Sequence, residues 1–271
     1  MIVSAALADS APLWLEWTAV LAAGLWAGMI NVVVGSGTLV SFPVLLLFGY
    51  PPLVANISNN IGLVGGNLSG TWGYRRELRE LRGLTRLLLP AAIGGGTAGA
   101  LLLLILPAEA FRTIVPVLVA AGLLMVVAGP YVQRRAARRA GAGEATAALS
   151  TARLTAVTAG VFVLGVYGGY FGAAQGILIV GLMSILTSES MQSLTAVKNL
   201  LVTGVNLVAA VVFVLIARDS VDWEAVALIA VGATLGGLVG ARFGRRLSPT
   251  LLRALILVVG TAAIVNLVFF S

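Results

Sequence analysis

The sequence predicts an all-α polytopic membrane protein with 8–10 hydrophobic segments in two inverted repeats, each containing a short broken or re-entrant half-helix. Three observations carry this prediction. Of the 271 residues, 59% are hydrophobic and 10% charged, against about half and a quarter in soluble domains. No charge occurs from Trp17 to Tyr74 or from Leu154 to Ser188, and Lys198 is the only charge from Ser190 to Ala217. Roughly 20 apolar residues in a helix cross a hydrocarbon core about 30 Å thick. Landmarks of the first half also recur in the second, as set out below.

The N-terminal residues carry Asp9 and Glu16 but no Lys or Arg, so they lack the positive first region of a secretory leader and are expected to lead into a first segment at 13–34. The second segment, 38–50, is short for a span and follows Gly35-Ser36-Gly37-Thr38. Such a break is tolerated in lipid only where the freed backbone faces protein or a water-filled cavity, so 38–50 reads as a half-helix. Segments at 53–73, 86–106 and 111–131 follow. Residues 134–153, rich in Arg, Ala and Gly, form a linker. They divide the chain into a first repeat (1–133), a cytoplasmic linker (134–153) and a second repeat (154–271). In the second repeat, segment 154–171 runs into the glycine-rich stretch Gly168–Gly176, a second half-helix occupies 176–187, and segments at 191–216, 223–242 and 251–270 complete the set.

A shift of 139 residues pairs Gly37 with Gly176, Asn60 with Asn199, Gly65 with Gly204 and Asn67 with Asn206. Two residues further on, Gly95-Gly96-x-x-Gly99-Ala100 pairs with Gly236-Gly237-x-x-Gly240-Ala241, and Arg112 with Arg253. Internal symmetry of this kind underlies many transporter folds. Arg residues cluster at 75–86, 134–153 and 242–253, the pattern of cytoplasmic loops under the positive-inside rule. All three clusters share one side only if each half crosses the membrane an odd number of times, which inverts the halves and points the two half-helices at a common midplane. The glycine pairs Gly95/Gly99 and Gly236/Gly240 read as small-residue packing faces.

Composition also excludes functions. With no His and no Cys there is no Ser-His or Cys-His nucleophile pair, and no zinc, haem or iron–sulfur site is expected. Asp9, Asp219 and Asp222 all fall near expected membrane boundaries. The net charge of +7 reports topology rather than nucleic-acid binding. The chain reads as no enzyme, with no cofactor and no metal. Its expected partners are the lipid bilayer of the bacterial inner membrane and a small anionic substrate, with a homo-oligomer left open.

Polar side chains inside the uncharged segments supply the candidate site. Asn60 and Asn67 lie two helical turns apart on one face, and Asn199 and Asn206 repeat the spacing. Lys198 is the single lysine; intramembrane ionisable groups default to function, the alternative being a side chain that snorkels to the interface. The half-helix starts near Thr38 and Gly176 offer backbone N–H groups and the positive end of a helix dipole. Lys198, Asn199, Asn59, Asn60, Ser36, Gly37, Thr38, Gln175 and Gly176 therefore form a donor-rich set without a carboxylate, suited to an oxyanion such as sulfite, a sulfonate or a carboxylate. An anion channel is the alternative within transport, and an intramembrane hydrolase pairing Ser58 with Lys198 the alternative outside it.

The run Gly28-Met29-Ile30-Asn31-x-x-x-Gly35-Ser36-Gly37-Thr38-Leu39-x-x-Phe42-Pro43, followed by Gly49-Tyr50-Pro51-Pro52-x-x-Ala55-Asn56-x-Ser58-Asn59 and Gly70-x-x-x-Tyr74-Arg75, resembles the first repeat of the sulfite exporter TauE/SafE family, also called the toluene-sulfonate uptake permeases. The stretch from Gly165 through Lys198-Asn199 is similar to the second repeat. The resemblance implies bacterial inner-membrane transport of sulfur-containing or organic anions by alternating access, with the loops at 35–38 and 172–176 lining the path. Members of that family often carry a lysine in the first repeat where this chain has Asn59 or Asn60, so here the positive charge is confined to Lys198.

Overall fold

The computed structural model describes residues 12–140, 151–187, 189–243 and 248–269. Every regular element among them is helical: α1 (Leu13–Val33), α2 (Thr38–Leu47), α3 (Pro52–Gly73), α4 (Arg75–Glu80), α5 (Arg82–Ile105), α6 (Ala108–Ala140), α7 (Thr151–Tyr170), α8 (Gln175–Leu186), α9 (Met191–Ile216), α10 (Trp223–Phe243) and α11 (Pro249–Phe269), with a single 3-10 turn at Arg218–Ser220. Ten of these helices coincide with the ten hydrophobic segments; α4, short and charged, is the addition.

Among the described residues, six helices are long and apolar enough to cross a membrane: α1, α5, α6 over Ala108–Tyr131, α7, α9 and α10. At 22 residues, α3 reaches about 33 Å at 1.5 Å per residue, although Asn56, Asn59, Asn60 and Asn67 lower its hydropathy. Helices α2 and α8, of 10 and 12 residues, are half that length. The expected linker differs at its start, because 134–140 continue α6 as helix. Ala and Arg are strong helix formers, so the chain stays helical after it stops being apolar. Residues 1–11, 141–150 and Arg245 and Arg246 lie outside the described residues.

The two halves of the chain exchange helices. α1 packs along α10, and α7 packs along α5. Glycines allow both approaches: a Cβ at Gly95 or Gly99 would collide with the Phe162 or Val166 carbonyl, and one at Gly236 with the Leu25 carbonyl. At Gly240 a Cβ would stand 3.1 Å from Met29 O. These stripes are the close-packed faces expected of small residues in lipid, where association rests on van der Waals contact and not on expulsion of water. Helices α3 and α9 pack against each other between these pairs, and α2 and α8 enter beside them.

Candidate functional site

Each half-helix begins where glycine or its equivalent turns the chain. α1 ends at Val33, Gly35 adopts φ +89°, and α2 starts at Thr38. α7 ends at Tyr170, Gly172 and Ala174 adopt φ +77° and +59°, and α8 starts at Gln175. Gly35 and Ala174 are both left-handed and are separated by the same 139 residues as Gly37 and Gly176. The two breaks meet. The Gly176 N–H donates to Gly35 O at 3.1 Å. A Cβ on Gly35 would lie 2.7 Å from Gly176 Cα, and one on Gly176 would lie 2.6 Å from Gly35 Cα and 2.8 Å from Lys198 Cδ. Only glycine fits at either position.

Lys198 lies against this junction, 1% exposed. Its Nζ donates to Asn31 O at 2.7 Å, Val32 O at 3.1 Å and Asn199 Oδ1 at 2.7 Å. An ammonium has three protons, and all three are used. The two carbonyls belong to the last turn of α1, where acceptors lack a partner in their own helix and the helix dipole is negative. The lysine therefore does not snorkel, and two of its three partners are backbone dipoles. The second break is held the same way in reverse: Asn56 Nδ2, from α3, donates to Tyr170 O at the end of α7 at 3.0 Å. A side chain of each half thus caps the broken helix of the other.

Asn31 is the hub of the network, and sequence reasoning left it out of the site set. Besides accepting from Lys198 through its carbonyl, its Oδ1 accepts the Gly37 N–H at 2.6 Å and its Nδ2 donates to Asn67 Oδ1 at 3.2 Å. The available signal was a polar residue in the turn that precedes a glycine break. Thr203 extends the network, donating to Asn199 O at 2.7 Å and Asn67 O at 3.0 Å.

Of the other expected residues, Ser36, Gly37, Thr38 and Gly176 form the breaks themselves, and Asn199 joins them through Lys198. Asn59 Oδ1 accepts from Ser41 Oγ in the first turn of α2, so Asn59 holds the half-helix and does not pair with Lys198. Gln175 Nε2 donates to Leu164 O at 3.0 Å, tying α8 to α7. Asn60 is buried and is not among the three acceptors of the lysine. Ser58 Oγ accepts the Asp222 N–H at 2.9 Å, away from Lys198, so the Ser-Lys pair is not formed. Phe42, Phe111, Tyr170 and Phe171 pack edge to face, with ring centroids 5.2 to 6.1 Å apart.

Six buried polar atoms at or near the breaks lack a protein partner among the described residues: Ser36 Oγ, Asn60 Oδ1, Asn67 Nδ2, Tyr170 Oη, Gln175 Oε1 and Asn199 Nδ2. Buried polar atoms are nearly always hydrogen-bonded, and each exception calls for a reason. Four of the six can donate: two hydroxyls and two amide NH2 groups. Among the described residues no cluster of three or more His, Cys, Asp or Glu could hold a metal ion.

This is a multi-pass helical membrane protein with a buried, donor-rich centre. The family described as "Sulfite exporter TauE/SafE" matches residues 20–267, and the chain belongs to that family. It is 26% identical over 246 residues to "Probable membrane transporter protein YfcA" of Escherichia coli strain K12, covering 90% of this chain and 87% of that protein. It is 27% identical over 245 residues to "Probable membrane transporter protein ORF9" of Sinorhizobium sp, covering 89% and 88%. A "Probable membrane transporter protein" of Haemophilus influenzae is 24% identical over 251 residues, covering 91% and 92%. No solved structure matches the chain. Family and relatives make it a membrane transporter and not an enzyme.

Proposed function

We propose that the protein carries a small oxyanion, of the sulfite or sulfonate class, across the bacterial inner membrane, with its Arg-rich loops cytoplasmic. Binding takes place where the two glycine breaks meet, between inverted repeats spanning 1–133 and 154–271. The observation that carries this reading is the Gly35–Gly176 junction with Lys198 beside it. One cation and three unpartnered donors of the same network, Ser36 Oγ, Asn67 Nδ2 and Asn199 Nδ2, lie with the two helix starts, with no carboxylate in the set. Such a donor set complements the charge and the several acceptor oxygens of an oxyanion.

Two N–H groups of the helix starts are already occupied: Gly37 by Asn31 Oδ1 and Gly176 by Gly35 O. An arriving anion would compete with these neutral acceptors for the donors, and a charged acceptor makes a bond about twice as strong. Ser36, Gln175 and Lys198 are each 1% exposed, so these side chains do not line an open pore. A closed centre supports alternating access, in which one repeat rocks against the other, over an open channel.

The test is flux of labelled sulfite into proteoliposomes, with methanesulfonate and acetate as competitors. The reading expects saturable flux inhibited by the sulfonate. Absence of sulfite flux would remove the substrate assignment, and flux rising linearly with concentration would favour a channel.

A further inference from the structure

The connection between α3 and α5 forms a groove that transport of an anion through the centre does not use. It is open, about 330 Å³ in volume, with an apolar wall of Leu68, Trp72 and Leu78, a basic wall of Arg75, Arg79 and Arg82, and Thr71 in its lining. Arg75 and Arg79 are one turn apart on α4 and so share a face. Arg75 is held in place: its guanidinium lies 5.0 Å from the centre of the Trp72 ring and donates to Trp72 O at 3.0 Å.

The two acids of the same short helix, Glu77 and Glu80, do not line the groove. Glu77 accepts from Gln192 Nε2 of α9 at 2.6 Å, and the charged side chains that line the groove are all arginines. Arg79 and Arg82 have no ion-pair partner among the described residues. Like charges gathered on one wall repel one another, and an anion between them offsets the repulsion. The apolar wall is exposed as well, Trp72 by 67% and Leu68 by 48%, at the end of a membrane helix. Tryptophan is enriched at the level of lipid headgroups, and basic pockets beside membrane helices suit anionic headgroups.

We propose that this groove binds an anionic phospholipid. The phosphate lies among Arg75, Arg79 and Arg82, and an acyl chain runs along Trp72 and Leu68 into the bilayer. Free phosphate shares the headgroup chemistry but would leave the apolar wall uncovered; the paired walls fit the lipid. The groove also adjoins the central network: the Thr71 and Thr203 hydroxyls are hydrogen-bonded at 2.7 Å, and Thr203 donates to Asn199 O.

The test is native mass spectrometry of the full-length protein in detergent, titrated with phosphatidylglycerol or phosphatidylcholine, with inorganic phosphate as competitor. Each basic side chain near an anionic lipid contributes about fivefold in affinity. The double variant Arg79→Gln/Arg82→Gln should therefore bind phosphatidylglycerol about thirty-fold more weakly. Arg76→Gln/Arg86→Gln, which removes equal charge outside the groove, should bind it as the wild type does. Equal affinity of Arg79→Gln/Arg82→Gln and wild type, equal losses in both double variants, or equally tight phosphatidylcholine would overturn the proposal. Displacement of the lipid by equimolar inorganic phosphate would show a site for free phosphate and would also overturn it.

Discussion

Replacing Lys198 with Met keeps the stem and removes the charge. The three hydrogen bonds of 2.7, 3.1 and 2.7 Å are lost, leaving Asn31 O, Val32 O and Asn199 Oδ1 without their donor. A buried acceptor stranded in this way costs about 1–3 kcal/mol. Part of that is returned, since burying an ammonium itself costs several kcal/mol, and methionine refills most of the stem's volume. The net is a loss of about 2–4 kcal/mol, or roughly 5–15 °C in Tm for a chain of this size. Thermal unfolding of the detergent-purified variant, followed by far-UV circular dichroism, measures it. Lys198→Gln, which restores amide donors on a shorter stem, should fall between Met and wild type. A Met variant as stable as wild type would refute the claim that Lys198 caps α1.

Gly176→Ala places a methyl 2.6 Å from Gly35 Cα; overpacking of about 1–3 kcal/mol should separate the breaks and reduce sulfite flux more than tenfold at matched incorporation. Gly35→Ala should be worse, because its φ of +89° adds a left-handed penalty of about 1–2 kcal/mol. On α5, Gly99→Val should lower Tm steeply, since its Cβ meets the Val166 carbonyl, whereas Gly83→Ala, with nothing within 4 Å, should raise stability by about 0.5–1 kcal/mol. Ser58→Ala loses one hydrogen bond to Asp222 N–H, about 1 kcal/mol, and should keep wild-type flux; abolished flux in a folded Ser58 variant would contradict its structural role.

The spans were legible because uncharged length and hydropathy act locally, and ten segments became ten helices. Both breaks were legible from their glycines: the chain leaves the helix at Gly35-Ser36-Gly37, and within the Gly168–Gly176 stretch it does so at 171–174, while Gly168 and Gly169 still end α7 as helix. The partners of Lys198 were not, because a backbone carbonyl carries no residue-type signature and Asn31 and Val32 lie more than 160 residues away along the chain. The same limit hid Asn56 as the cap of Tyr170. The repeat offset aligned Lys198 with Asn59, yet the reciprocal cap comes from one helical turn earlier, at Asn56. The short helix α4 escaped notice because five charged residues around a single Leu78 have no hydrophobic period, and its arrangement depends on the helices that it joins.

The central claim is that the anion binds where the breaks meet. The chain contains no cysteine, so Ser36→Cys places a single thiol at the junction. Its modification by a cationic, membrane-impermeant methanethiosulfonate in proteoliposomes should slow saturably as methanesulfonate is added, while a thiol at exposed Gly83 stays unprotected. Modification of Cys at position 36 that ignores the anion, in a variant that still transports it, would contradict the account and place binding elsewhere.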